Sequence, residues 1–260
     1  MTLAKNGAVR LDWREDGVGP PLLLLNSVGC ELTLWDTVMP HLSGYRVIRM
    51  NMRGHGQSDS PPGDYALDQI AADVVAVLDA AGVEKAAVCG LSLGGMTAMT
   101  LALNAPERVS SLILACTSAQ VDWDAWNTRV LTVRSQGLEV IVDAIMARFF
   151  SEHFRRDHAA EVSVIRAQFL GLDPQGYAGC CAAIRDMALL GKISAIQKPT
   201  LVIAGEEDVA THFEGHGREI QKRIAGAKAK MLPAAHIAPV EVPLAFAAAV
   251  TDFLSGGAHV

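Results

Sequence analysis

Residues 86–96 read AAVCGLSLGGM. Small and apolar residues run straight into Gly-Leu-Ser-Leu-Gly-Gly, so a buried strand ends on a serine held between glycines. A serine meant only for solvent needs no such neighbours. One forced onto a tight strand-to-helix turn does, because side chains beside it would clash where strand and helix cross. Gly90-Leu91-Ser92-Leu93-Gly94 fits G-x-S-x-G, and the following GMTAMTLALNAPERV (95–109) is rich in helix formers. Such an elbow lifts the Ser92 hydroxyl clear of the sheet, beside a helix N-terminus that favours negative charge.

Working outward, other short apolar runs have the look of strands buried on both faces: 21–26 (PLLLLN), 45–51, 85–90, 110–116, 199–205 and 227–233. Helical patterns lie between most of them, as in LDQIAADVVAVLDAAGV (67–83). Strands alternating with helices imply an α/β fold with a mostly parallel central sheet flanked by helices. The alternation stops between about 119 and 196, where only amphipathic helical patterns occur. The expected organisation is therefore a core of residues 1–118 and 197–260, with 119–196 inserted as a helical cap.

A neutral serine needs a base. His236, in LPAAHIAPVEVP, follows the last expected strand and precedes the last helix. In the chain order of such sites the acid falls between serine and histidine. TLVIAGEEDVA offers Glu206, Glu207 and Asp208, and Asp208 is favoured, three residues past Gly205, where a loop acid can turn back. The oxyanion needs two backbone donors. Leu93, directly after the serine, and Val28, in the loop LLLLNSVGCELTLWD with Gly29 allowing close approach, are the candidates.

The totals narrow the class. A net charge of −6 argues against nucleic acid or an anionic membrane as partner. The opening MTLAKNGAVRLDWREDG has no apolar core and no run approaches 18 apolar residues, so neither a secretory signal nor a membrane span is expected. Five cysteines (Cys30, Cys89, Cys116, Cys180 and Cys181) without a CxxC read as buried free thiols in a reducing cytoplasm. No dinucleotide fingerprint follows the first strand and no histidine shows metal spacing, so no cofactor or metal is expected. His212 and His216 read as an i, i+4 pair on a surface helix. RGHGQSD (53–59) reads as a loop in which His55 and Asp59 brace the oxyanion site.

The chain resembles α/β-hydrolase-fold enzymes, and among them 3-oxoadipate enol-lactonases of aromatic catabolism. The resemblance runs in order through NSVGCELTLWD, MRGHGQSDSPPGDYALDQIAADVVAVLD, CGLSLGGMTAM, APERVSSLILACTSA, QGYAGCCAAIRD, VIAGEEDVA and AAHIAPVEVP. Asn26 and Ser27 stand where related enzymes often carry His-Gly. His212 and Phe213 intervene where the family usually has a proline turn, and Ala238-Pro239 replaces Ser-Asn. The resemblance implies hydrolysis of a small lactone or ester, including one carrying a carboxylate, with no nucleic acid or membrane involved. A cap arginine, Arg129 or Arg185, would hold that carboxylate, with Trp126 as an apolar wall. The same triad also serves carboxylesterases, C–C bond hydrolases, homoserine-lactone hydrolases and perhydrolases. A ligand-binding receptor on this scaffold is a third reading. Oligomeric state is not legible in the sequence.

Overall fold

A computed structural model describes residues 2–256. They form eight strands: β1 (Thr2–Asn6), β2 (Val9–Asp16), β3 (Pro21–Leu25), β4 (Arg46–Met50), β5 (Ala86–Leu91), β6 (Val109–Ala115), β7 (Thr200–Gly205) and β8 (Lys228–Leu232). These make one sheet in the order β1-β2-β4-β3-β5-β6-β7-β8. β1, β2 and β4 pair antiparallel; every pairing from β4 through β8 is parallel. This is the mostly parallel central sheet, flanked by helices, that the sequence implies.

The central strands are apolar on both faces because helices cover both. Leu22 to Leu25 are buried, and each such side chain contributes roughly 1.5–3 kcal/mol over an exposed one. β8 carries Lys228 and Lys230 on an exposed edge, a composition that discourages pairing with another chain. β1 and β2 are additions to the expected strand set. They form a hairpin whose turn, Gly7–Ala8, has Gly7 at φ +59.

α1 (Leu67–Ala80) packs on α2 (Leu93–Asn104), which runs from the elbow along β5 and β6. Five helices lie between β6 and β7: α3 (Trp123–Gln136), α4 (Val142–Phe149), α5 (Glu152–Asp157), α6 (Ala159–Leu170) and α7 (Pro174–Arg185). Three start on side-chain caps, from Asp122, Ser151 and Asp173. α7 is nearly all buried, packed along α3, and its Gly176 approaches the Gly54 backbone so closely that a Cβ would lie 2.6 Å from Gly54 Cα. α8 (Gly217–Arg223), α9 (Ala238–Glu241) and α10 (Pro243–Leu254) complete the chain. Among the described residues, no helix is long and apolar enough to cross a membrane. The five cysteines are buried free thiols.

The crossing of β5, β3 and α2 leaves no room for side chains. A Cβ on Gly94 would overlap the Leu25 carbonyl oxygen, and one on Gly90 the Gly94 backbone. Backbone atoms on both sides cannot yield. Gly94→Ala is therefore expected to destabilise the protein by about 1–3 kcal/mol in urea unfolding. Gly191→Ala, with nothing within 4 Å of its added Cβ, is the control and should change little.

Candidate active site

Ser92 lies between β5 and α2 with φ +55 and ψ −114, a conformation that costs a non-glycine residue about 1–3 kcal/mol. Neighbouring elements hold it there. Its N–H donates to Ala115 O at 2.9 Å, its carbonyl accepts from Thr117 Oγ1 at 2.6 Å, and Gly94 N–H donates to Asn26 O at 3.0 Å.

Of the three acids after β7, Glu206 and Glu207 are exposed and Asp208 is buried. Asp208 Oδ1 accepts from the Ala210 and Thr211 amides, and Oδ2 accepts from Thr211 Oγ1 at 2.7 Å and from His236 Nδ1 at 2.9 Å. Burial opposes ionisation of Asp208, but His236 and these hydrogen bonds outweigh it and hold the carboxyl well below the usual range. An ionised Asp208 keeps the His236 proton on Nδ1, so Nε2 is left as the acceptor. Phe149, at the end of α4, stacks on the His236 ring, and its carbonyl accepts from Ile237 N–H at 3.0 Å. Ser92 and His236 line the same cavity; among the described residues, no hydrogen bond joins Ser92 Oγ to the ring.

Val28 lines that cavity opposite the elbow. Among the described residues, neither its N–H nor that of Leu93 is taken by another group, which leaves both amides as donors. The loop is pinned from below. Asn26 spans it, donating to Met50 O and accepting from Trp35 Nε1, and the Gly29 amide donates to His55 Nε2 at 2.8 Å. Asp59 instead pairs with Arg10 at the surface.

The cavity has a volume of about 210 Å³. Trp126 and Arg129 line it, with the Arg129 guanidinium 4.4 Å over the Trp126 ring. Arg185 does not line it. Its guanidinium is committed to Asp64, Asp186 and Asn127 and lies over Trp123, so it has no free face to offer a ligand. Arg148, which the sequence did not single out, takes its place. Partial burial and the like charge of Arg129 both weaken proton binding by Arg148. Among the described residues, neither Arg129 nor Arg148 has a carboxylate partner. His216 is not on the surface helix that its spacing from His212 suggests. It sits in a turn before α8, half-buried on the cavity wall, with Nδ1 2.8 Å from Ser118 Oγ. His212 stacks against it edge-on.

The family model of the alpha/beta hydrolase fold matches residues 20–243. The chain is 36% identical over 233 residues to 3-oxoadipate enol-lactonase 2 of Acinetobacter baylyi, covering 89% of this chain and 87% of that one. The solved enol-lactonase from Burkholderia xenovorans LB400 superposes with a TM-score of 0.95 at 34% identity, over 98% of this chain and all of that one. Est816, an N-acyl homoserine lactone degrading enzyme, superposes at 0.84 with 26% identity, over 97% of this chain and all of that one.

His55 gives the site a pH dependence. Burial pushes its pKa down from 6.5 to about 4, against a smaller opposing effect of the Arg53 carbonyl. A histidine with a depressed folded pKa contributes its full share above about pH 6.5 and loses it as pH falls towards 4. The linkage amounts to about 2 kcal/mol at pH 5. In urea unfolding, the wild-type protein should lose roughly that much more stability between pH 7 and 5 than His55→Gln does.

Proposed function

The chain belongs to the α/β-hydrolase fold family, and from that membership we propose that it opens a small lactone or ester through an acyl-enzyme on Ser92. One observation carries the reading: a serine in a strained elbow faces the same cavity as a histidine whose Nδ1 is bonded to a buried, ionised aspartate. Ser92 Oγ attacks the carbonyl carbon while His236 Nε2 takes its proton. Asp208 holds the ring and stabilises the imidazolium that forms. The Val28 and Leu93 amides receive the oxyanion. Collapse breaks the C–O bond, and His236 returns the proton to the leaving oxygen. In a lactone that oxygen stays tethered in the acyl group. Water, deprotonated by His236, then attacks the acyl carbonyl and frees Ser92.

The substrate we infer is a compact lactone bearing an anionic group, as in the enol-lactonases that the chain resembles. Arg129 and Arg148 support this. Arg129, half-buried, and Arg148, exposed, line the cavity beside Asp122 without an ion pair among the described residues, and so offer charge-assisted donors to an anionic group. The helical segment 119–196 carries both, so it sets substrate choice. Five buried free thiols fit a reducing, cytoplasmic setting.

Two experiments test these points. Asp208→Asn should fold normally and lose about 10⁴-fold in kcat, because the imidazole loses its required tautomer. Glu206→Gln and Glu207→Gln should stay near wild type; a dead glutamine variant beside an active Asp208→Asn overturns the choice of acid. Separately, Arg129→Met and Arg148→Met should raise KM for 3-oxoadipate enol-lactone by about 10–100-fold, the worth of a charge-assisted hydrogen bond. KM for p-nitrophenyl acetate should move less than about twofold. Equal effects on both substrates would make an apolar-pocket esterase the better reading.

A further inference from the structure

His216 stands at the N-cap of α8, a position where serine, threonine or aspartate usually bonds the first helical turn. Its side chain caps nothing there. The ring lines the catalytic cavity instead, and its Nδ1 reaches Ser118 Oγ, beyond the end of β6, at 2.8 Å. Ser118 is fully buried and does not line the cavity, so the Nδ1 edge is the one turned away from it.

The partners of Ser118 fix the tautomer of that ring. Ser118 Oγ meets His216 Nδ1, the Gln120 N–H at 3.1 Å and the Gln120 carbonyl. Two oxygens in hydrogen-bond contact need a proton between them, so the one hydroxyl proton goes to the carbonyl. The hydroxyl oxygen then accepts from the other two, and Nδ1 carries the ring proton. Nε2 is left as a bare acceptor. Among the described residues it has no hydrogen-bond partner, and it stays open to solvent. We propose that His216 is a specificity-determining residue: its Nε2 accepts a hydrogen bond from an O–H or N–H that the substrate carries beside its reacting carbonyl. This rests on the reading that Ser92 and His236 open a lactone or ester in this cavity.

The surroundings agree with an accepting ring. Burial and the neighbouring His212 push the His216 pKa down against the pull of Asp208, so the ring is uncharged at pH 7.5. His212 packs against it edge-on and makes no hydrogen bond to it. The cavity, about 210 Å³, is smaller than the roughly 300–1,000 Å³ of most ligand pockets, so a small lactone at Ser92 presents its substituents to the walls. A ligand that displaces water from Nε2 without supplying a donor leaves that acceptor unpaired. The arginines come from α3 and α4, and His216 from the chain after β7, so an anionic group and a donor are recognised by separate elements.

The test has two arms, both at pH 7.5. In ¹⁵N NMR of Ser92→Ala, His216 should show a protonated Nδ1 and a bare Nε2. Saturating α-hydroxy-γ-butyrolactone or N-acetylhomoserine lactone should move Nε2 upfield, as accepting a hydrogen bond does, and α-methyl-γ-butyrolactone should not. A shift with one donor lactone alone supports the proposal and assigns the donor as O–H or N–H. The opposite tautomer, an imidazolium, or an Nε2 resonance that neither donor lactone moves overturns it. In steady-state hydrolysis, His216→Leu should lower the ratio of kcat/KM for that donor lactone to kcat/KM for the α-methyl lactone by about 3–10-fold, the worth of one hydrogen bond. His216→Gln, whose amide oxygen can accept, should keep most of the wild-type ratio. The ratio is read within each enzyme, so a general loss of activity does not imitate the effect; a ratio unchanged in His216→Leu overturns the proposal. Where no rate is measurable, the NMR arm decides. Lactone hydrolysis by Ser92→Ala defeats the hydrolase reading; an inert Ser92→Ala beside an unchanged ratio in His216→Leu defeats only the role of His216.

Discussion

At Ser92 the chain passes from strand to helix within one residue, and the rest of the site is arranged around that passage. The residue occupies backbone space that costs an L-amino acid about 1–3 kcal/mol, and it persists because its neighbours over-determine it. Ala115 at the end of β6, Thr117 beyond it and Asn26 beyond β3 each bond the elbow's backbone. The glycines on either side let three main chains cross where no Cβ fits. The same crossing brings the Asn26–Gly29 loop against the start of α2. Ser92 and the Val28 and Leu93 amides, proposed as nucleophile and oxyanion donors, therefore depend on one packing constraint.

Around this fixed point the charges are unevenly matched. Asp208 is buried and fully bonded, so its negative charge is spent on orienting His236. Arg129 and Arg148 face the cavity without such partners among the described residues. The chain carries a net charge of −6, yet its cavity is lined by two arginines against one acid, Asp122. A global sign says little about a site that two guanidinium groups can dominate. The helical segment between β6 and β7 matters in a second way: Phe149 stacks on His236, while Phe169 and Tyr177 close over Gly29. It therefore touches both His236 and the Asn26–Gly29 loop.

The parts of this fold that are legible in the sequence are those where physics leaves few choices. Leu22 to Leu25 and Leu112 to Ala115 lie in short apolar runs that alternate with helical patterns, which marks them as doubly buried strands, and the glycine spacing around Ser92 admits few turns. The β1–β2 hairpin is hard to read because its strands carry charges throughout, Lys5, Arg10, Asp12, Arg14, Glu15 and Asp16, and hold no continuous apolar run, although Asn6-Gly7 is a recognised hairpin signal. Helical patterning across 119–196 does not by itself show where one helix stops, as α3 does at Gly137 with φ +84. Helical periodicity also fails to say which arginine of a cap looks inward. Arg185 offers the same chemistry as Arg148, but Asp64, distant in sequence, captures it. The placement of His216 is hidden for a related reason: its spacing from His212 suits a helix, whereas the chain there is a turn that Ser118 reaches from another strand's end.

Formation of the acyl-enzyme on Ser92 is the central claim, and intact-protein mass spectrometry after treatment with a serine-directed phosphonate tests it most directly. One adduct per chain is predicted, located by peptide mapping to the segment containing Ser92, absent in Ser92→Ala, and formed in step with loss of hydrolysis. An active protein that takes up no adduct, or one labelled at another residue as activity disappears, would contradict the account.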